Sequence, residues 1–228
     1  MRFEDIVKLD VSREDIIDAI NFAYSHHYID NLRNRTPIVA FDSNIRGKIG
    51  ELCITKYLLA NGINDCETHI DENPYGCNID IKVGNLWGEI KTSNIPNSAS
   101  NLRGVINNCD IKIIKRNNSP AIELDRDFYI QVYFDCLTKE RDTFLNQVFR
   151  QNNMCISNNP EDVYRLYNCS FYLDNTYFFA WNNKESIEEY LRTLTINQRT
   201  YNISYRNFWK CPLSHAQSPI SIIDYFCN

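Results

Sequence analysis

The most informative part of the sequence runs from Asn78 to Thr92 and reads NIDIKVGNLWGEIKT. Apolar and polar residues alternate on both sides of Gly84-Asn85, a dipeptide typical of two-residue hairpin turns. Because successive side chains of a strand point to opposite faces, the pattern predicts a hairpin with one apolar and one charged face. The apolar face holds Ile79, Ile81, Val83, Leu86 and Ile90, and the other face holds Asp80, Lys82, Trp87, Glu89 and Lys91.

The turn also predicts the register of this hairpin. With Gly84-Asn85 at the tip, Asp80 lies opposite Glu89, and Lys91 follows on the same face. Opposed Cβ atoms are about 4.5–5.5 Å apart, and two carboxylates at about 5 Å repel by about 3 kcal/mol at an effective dielectric constant of about 20. A raised pKa, a lysine partner or a bound divalent cation would relieve this repulsion.

Two interpretations of the charged face are open. Mg²⁺ binds one or two carboxylates together with water and phosphate oxygens, and a neighbouring lysine can orient water or stabilise charge on phosphorus. The alternative is an exposed strand pair with a solvated ladder of charges. An acid directly opposite an acid is unusual in such a ladder, which favours the catalytic interpretation.

The rest of the chain predicts further elements and no second domain. No internal repeat or Gly/Ser linker divides residues 1–228, so we expect a single domain. The patterns predict a helix beginning at Ser12, a helix from Ser43 to Ala60 that stops at Asn61-Gly62, a strand from Phe128 to Phe134, a hairpin over Phe171–Trp181 and a helix from Lys184 to Leu194.

Composition restricts the function classes. The chain has 24 Lys+Arg against 29 Asp+Glu, a net charge of −5, which excludes a surface adapted throughout to nucleic acid but allows a local basic cleft. Nine cysteines, an odd number without a C-x-x-C pair, and an N-terminus without an apolar segment lead us to expect a reduced, cytoplasmic protein with no membrane span. A zinc site from Cys66, His69 and Cys77 is a weak alternative, because it lacks a clear fourth ligand.

The order of the charged residues resembles that of the PD-(D/E)XK nucleases, the restriction-endonuclease-like superfamily. The matching residues are Asp80 and then Glu89-Ile90-Lys91, preceded by a helix that contains Gly50-Glu51. Ile79 stands where the name-giving proline would be, a position that the family often varies. The resemblance implies an α/β fold with a mixed central β-sheet flanked by helices, Mg²⁺-dependent phosphodiester hydrolysis and usually a DNA substrate.

The resemblance covers about residues 43–135, which we expect to form the catalytic core, while residues 136–228 complete it and contribute to substrate binding or dimerisation. Carried over by position, it implies that Asp80, Glu89 and the carbonyl of Ile90 bind the metal and that Lys91 positions the attacking water. Glu51 would be a carboxylate near the metal or a ligand of a second metal. It lies about 80° from the apolar stripe of its helix, so an ordinary surface glutamate is the alternative.

Phosphate contacts would come from local basic clusters, since the net charge is negative. The candidates are Lys48, Arg103, Lys112, Lys115, Arg116, Arg199, Arg206 and Lys210. The basic residues after Arg192 alternate with aromatic residues, a mixture that suits a DNA-facing surface but also suits a solvated strand over a core.

We therefore predict a Mg²⁺-dependent endonuclease of double-stranded DNA, most like a type II restriction enzyme that acts as a homodimer. A repair, junction-resolving or other defence nuclease of the same fold is the nearest alternative. A nucleic-acid-binding module without catalytic activity is the alternative from another class.

Overall fold

The computed structural model describes residues 1–26, 36–70, 79–151, 156–168, 172–203 and 206–227. The strands within these ranges are β1 (Val7–Lys8), β2 (Cys66–Ile70), β3 (Ile79–Val83), β4 (Leu86–Ile95), β5 (Ile113–Ile114), β6 (Phe128–Leu137), β7 (Thr176–Asn183), β8 (Thr200–Ile203) and β9 (Arg206–Trp209). The helices are α1 (Arg13–His26), α2 (Pro37–Ala60), α3 (Leu102–Asn108), α4 (Thr138–Gln151), α5 (Pro160–Asn168), α6 (Lys184–Thr193) and α7 (Ser221–Cys227). No helix among these residues is long and apolar enough to cross a membrane.

The strands form a mixed six-stranded sheet in the order β1-β7-β6-β4-β3-β2 and a smaller sheet in the order β5-β9-β8. β4 and β6 run parallel in the middle of the large sheet, and its other neighbouring strands are antiparallel. Helices cover this sheet, so the predicted α/β fold with a mixed central sheet flanked by helices is confirmed.

The position of β6 in the middle of the large sheet, buried on both faces, explains the near-continuous apolar run predicted as a strand at Phe128–Phe134. Alternate residues such as Ile130 and Val132 join the core that contains α1 and α2, whereas Tyr129 and Tyr133 join the core that contains α3, α6 and part of the small sheet. A strand buried on both faces reads as apolar throughout. The strand prediction is confirmed, and the strand continues to Leu137.

The hairpin of β3 and β4 has the predicted turn, and Gly84 adopts a φ of 56°. The register is confirmed for the pairs Val83–Leu86, Lys82–Trp87 and Ile81–Gly88. The next expected pair, Asp80 opposite Glu89, is not part of the ladder formed by the described residues. Instead, the Asp80 carboxylate accepts the backbone N–H of Ile90 at 2.8 Å, so a side chain replaces the ladder there.

The predicted start of the second helix at Ser43 is wrong. α2 begins at Pro37, because Thr36 caps it by accepting the N–H of Val39 at 3.4 Å and proline suits the first helical turn. The Ser43 hydroxyl donates to the Val39 carbonyl at 2.7 Å within the helix. The predicted C-terminal stop is confirmed, since Asn61 is the C-cap.

The hairpin predicted over Phe171–Trp181 is also wrong. Only β7 is a strand, and it pairs with β6 and β1 rather than with the residues just before it. Leu173 and Asp174 form a turn, and Phe171 lies outside the described residues. The helix predictions after Ser12 and from Lys184 are confirmed as α1 and α6.

A buried ionic cluster ties the first half of α2 to α4 and α5. The fully buried Asp42 carboxylate accepts from Arg46 Nε at 2.9 Å and from Arg141 at 3.2 Å. The hydroxyls of Tyr167 and Tyr172 donate to its other oxygen. Burial alone would raise the pKa of Asp42, but the two arginines outweigh it and hold that pKa below its ordinary value. Asp42 therefore stays ionised and fixes the position of α2.

The second half of α2 approaches β4 closely at Gly50. A Cβ atom at Gly50 would lie 2.3 Å from the Cγ2 atom of Thr92 and 3.7 Å from that of Ile90. Only a glycine permits this distance without displacement of the strand or the helix. The contact places Glu51, the next residue of the helix, at the level of the charged end of the hairpin.

We predict that Gly50→Ala lowers the free energy of unfolding by about 1–3 kcal/mol, because the added methyl group overlaps Thr92. Gly47→Ala is the matched control on the same helix, since no atom lies within 4 Å of its added Cβ. It should raise stability by about 0.5–1 kcal/mol through helix propensity.

Urea titrations of the two variants and of the double variant Gly50→Ala/Thr92→Ser, which removes the overlapping methyl group, measure this effect. The double variant should regain most of the lost stability. Equal stabilities of Gly50→Ala and Gly47→Ala would contradict the close contact.

Candidate active site at the end of the hairpin

The structure brings Asp80, Glu89 and Lys91 together at the end of the hairpin that lies away from the turn. The Lys91 ammonium lies 2.6 Å from Glu89 Oε1 and 3.8 Å from Asp80 Oδ2. The Lys91 side chain is 25% exposed and that of Asp80 is 22% exposed, so solvent reaches the site, whereas the Glu89 side chain is 5% exposed. Although the ladder ends before the expected Asp80–Glu89 pair, both carboxylates therefore face one cation.

Burial and the neighbouring charges change the pKa values of Lys91 and Asp80. Burial alone would lower the pKa of Lys91, but the Glu89 and Asp80 carboxylates outweigh it and raise that pKa. Burial raises the pKa of Asp80, an effect that Lys91 partly offsets and Glu89 reinforces. Lys91 is consequently an ammonium at neutral pH, suited to hold an anion or a water molecule rather than to accept a proton.

Glu51 belongs to the same group. Its side chain is 13% exposed, which argues against the alternative of an ordinary surface glutamate. Lys48 lies 3.0 Å from its carboxylate. Burial and the charge of Asp80 raise the pKa of Glu51 to about 7, although Lys48 and Lys91 oppose the rise. The close contact at Gly50 explains why a helix on one face of the sheet supplies this carboxylate.

Three residues that the sequence analysis missed border the site: Asp125, Arg126 and Tyr129. The Tyr129 hydroxyl accepts the backbone N–H of Arg126 at 3.2 Å and donates to Asp125 at 3.3 Å. Arg126 is almost fully buried, and its charge lowers the pKa of Asp80. Asp125 and Arg126 precede β6 in a segment without periodicity, so sequence reasoning had no signal for them, whereas Tyr129 lies within β6 itself.

The buried Gln131 fixes the backbone beside Lys91. Its amide nitrogen donates to the Lys91 carbonyl at 2.9 Å and to the Ser93 hydroxyl at 3.1 Å, and its oxygen accepts the N–H of Lys112 at 3.1 Å. The Lys112 ammonium donates to the same Ser93 hydroxyl at 2.8 Å. A lone glutamine inside the apolar run of β6 was the available signal for this role.

The small sheet joins the two basic segments that the sequence keeps apart. β5 pairs with β9 through Ile113–Trp209 and Ile114–Phe208, and β9 pairs with β8. Lys112, Lys115 and Arg116 therefore lie beside the strand that carries Arg206 and precedes Lys210. We call this small sheet, with its flanking basic residues, the basic sheet. It is connected to the hairpin, because Lys112 contacts Ser93 and Arg116 lies 3.6 Å from Glu89.

The other candidate phosphate contacts have different surroundings. Arg199 donates from Nε to the carbonyls of Leu191 and Leu194 at 2.9 and 3.2 Å, and so caps α6. Arg103 is 71% exposed on α3, outside the small sheet. Lys48 pairs with Glu51 within the candidate site.

The oxygen-rich donor set suits a hard divalent cation better than zinc. Among the described residues, no group of three or more His, Cys, Asp or Glu side chains is arranged to hold a metal ion. Mg²⁺ requires only one or two protein carboxylates, and Asp80 and Glu89 already converge on one cation, the Lys91 ammonium. Cys77 and the side chain of His69 from the zinc alternative lie outside the described residues.

Comparisons of this chain with models of known protein families, with curated proteins and with solved structures find no match. The arrangement of these side chains is therefore the basis for the functional argument.

The raised pKa of Glu51 predicts that the free energy of unfolding depends on pH. Its carboxyl group ionises near pH 4.5 when unfolded and near pH 7 when folded, so the folded state binds the proton more tightly. Relative to Glu51→Gln, the wild-type free energy of unfolding should decrease as pH rises from about 4.5 to about 7, by up to roughly 3 kcal/mol.

Urea unfolding at several pH values measures this difference. Glu189→Gln, which alters an exposed residue of α6, is the control and should follow the wild-type curve. A pH-independent difference between Glu51→Gln and the wild type would contradict the raised pKa of Glu51 and therefore its burial beside Asp80.

Proposed function

We propose that this chain is a Mg²⁺-dependent endonuclease that hydrolyses phosphodiester bonds of double-stranded DNA, with the arrangement of a PD-(D/E)XK nuclease. The single observation that supports it best is the convergence of the Asp80 and Glu89 carboxylates on the Lys91 ammonium, at 3.8 and 2.6 Å. Two acids and a lysine at a partly exposed sheet end are suited to metal-assisted phosphoryl chemistry, because the acids can hold the ion and the lysine can hold water or negative charge.

Each residue has a part in this proposal. Asp80 and Glu89, with the carbonyl of Ile90, would hold Mg²⁺, which supplies Lewis-acid stabilisation of charge on the phosphate. Lys91 would orient the attacking water and stabilise the negative charge on the phosphoryl oxygens, since its raised pKa keeps it protonated. The Glu51 carboxylate, with a pKa of about 7, would accept a proton from water near the site.

The basic sheet supports nucleic acid as the substrate. It joins Lys112, Lys115 and Arg116 to Arg206 within one small element next to the acids. Contacts to phosphates from such a surface would give affinity despite the net charge of −5. We further propose a sequence-specific type II restriction activity by a homodimer, in which each copy cuts one strand.

A nucleic-acid-binding module without catalysis is the second candidate, and one observation favours it. Lys91 and Arg116 both lie close to Glu89, so the carboxylate is neutralised without a metal ion. In that candidate the ion pairs are structural, and DNA binding needs no divalent cation.

Incubation of the chain with plasmid and genomic DNA, with Mg²⁺ and with EDTA, separates these candidates. We expect discrete fragments with Mg²⁺ and none with EDTA. Smeared products would indicate a nuclease without sequence specificity, such as a repair or defence enzyme. Binding of DNA without cleavage of DNA or RNA in Mg²⁺ would contradict the enzyme and support the binding module.

The variants Asp80→Ala and Lys91→Ala should each lower the cleavage rate at least about 100-fold, because they remove a metal ligand and the charge that positions water. Lys82→Ala is the matched control. Lys82 lies on the same face of the hairpin, but it faces Glu67 at 3.9 Å and the Trp87 ring at 5.5 Å.

Initial cleavage rates on plasmid DNA measure these effects, with circular dichroism to verify folding. Lys82→Ala should cut at close to the wild-type rate. A normal rate for Lys91→Ala would show that the assignment of the site is wrong.

A further inference from the structure

Arg116 connects the basic sheet to the acidic site. It follows β5, and its guanidinium lies 3.6 Å from Glu89 Oε1 and bonds through Nε to the Asp125 carboxylate. Its side chain is 44% exposed, whereas that of Glu89 is 5% exposed. Arg116 therefore reaches from solvent to the most buried carboxylate of the site.

The contact between Arg116 and Glu89 depends on which other cations lie near Glu89. Its Oε1 atom is 2.6 Å from the Lys91 ammonium and 3.6 Å from Arg116, so two cations are close to one carboxylate oxygen. A divalent cation bound by Glu89 would add further positive charge beside the guanidinium. Repulsion between like charges at such distances is large in a partly buried site, so the cation and the guanidinium compete for Glu89.

A phosphate offers Arg116 a better partner. The guanidinium is planar and matches two phosphate oxygens in a bidentate arrangement. Arg116 is adjacent to Lys115 on the basic sheet and half exposed, so it can turn from Glu89 toward a phosphate without crossing the core. That movement would free Glu89 for a metal ion.

We propose that Arg116 is a phosphate-binding residue that is held on Glu89 and Asp125 in the free protein and exchanges Glu89 for a phosphate of double-stranded DNA when a divalent cation binds. The exchange makes metal binding and DNA binding favour each other, because a phosphate that holds Arg116 leaves Glu89 available for the ion, and the ion releases Arg116 for the phosphate. Without DNA, Arg116 stays on Glu89 and opposes metal binding there. This inference rests on the proposed function.

Arg116→Gln tests the exchange through binding rather than cleavage. Without DNA, the variant should bind Mn²⁺ about three- to tenfold more tightly than the wild type, because the competing cation is gone. With Ca²⁺ present, it should bind a random-sequence duplex about three- to tenfold more weakly than the wild type, with a salt dependence reduced by about one phosphate contact. In EDTA, where Arg116 stays on Glu89, the two proteins should differ less.

Mn²⁺ titration followed by electron paramagnetic resonance and duplex titration followed by fluorescence anisotropy provide the two readouts, both on the full chain. Arg165→Gln is the matched control, because Arg165 is a 76% exposed arginine on α5 paired with Asp162 at 3.6 Å. It should change neither affinity. Arg116→Lys, which keeps the charge but loses the planar group, should keep the wild-type Mn²⁺ affinity and weaken duplex binding.

The two proposals fail in different ways. Unchanged or weaker Mn²⁺ binding by Arg116→Gln, while the wild type binds Mn²⁺ and cleaves DNA, would overturn the exchange and leave the nuclease intact. A wild type that binds no Mn²⁺ with or without the duplex would overturn both.

Discussion

The close packing of α2 on β4 at Gly50 is the constraint on which the site depends. Gly50 has no space for a Cβ atom, since that atom would lie 2.3 Å from the Cγ2 atom of Thr92. The Asp42 cluster holds the first half of the helix, and this contact holds the second half against the strand. Glu51 from one face of the sheet and the Glu89–Lys91 pair from the hairpin consequently share one electrostatic environment.

Charge balance is the second organising principle. The carboxylates at the site are those of Glu51, Asp80, Glu89 and Asp125, and the neighbouring cations are Lys48, Lys91, Arg116 and Arg126. Such pairing stabilises buried acids without a metal ion, so the free protein can fold with the site assembled. In the proposed enzyme, Lys91 would turn to water and Arg116 to phosphate when Mg²⁺ binds the acids.

Local sequence signals predicted the hairpin, its turn and the strand at Phe128, because turn chemistry and side-chain alternation act over a few residues. They failed at β7, which pairs with β6 and β1 instead of forming a hairpin, because distant contacts decide that pairing. The start of α2 was a different failure, since the local Thr36-Pro37 cap is visible in the sequence but the prediction began the helix at Ser43. At the site, the charged face of the hairpin was predictable. Arg116 contacts Glu89 through tertiary packing alone, so its partner was beyond prediction.

A crystal structure of the chain grown with Mn²⁺ would show directly whether Asp80 and Glu89 bind a metal ion, because anomalous scattering locates the ion. We expect a peak about 2.0–2.2 Å from carboxylate oxygens of both Asp80 and Glu89. We also expect the Lys91 ammonium to lie farther from Glu89 than its present 2.6 Å. A structure with no peak at these carboxylates and with Lys91 still paired to Glu89 would contradict a metal-dependent nuclease and leave a structural ion pair.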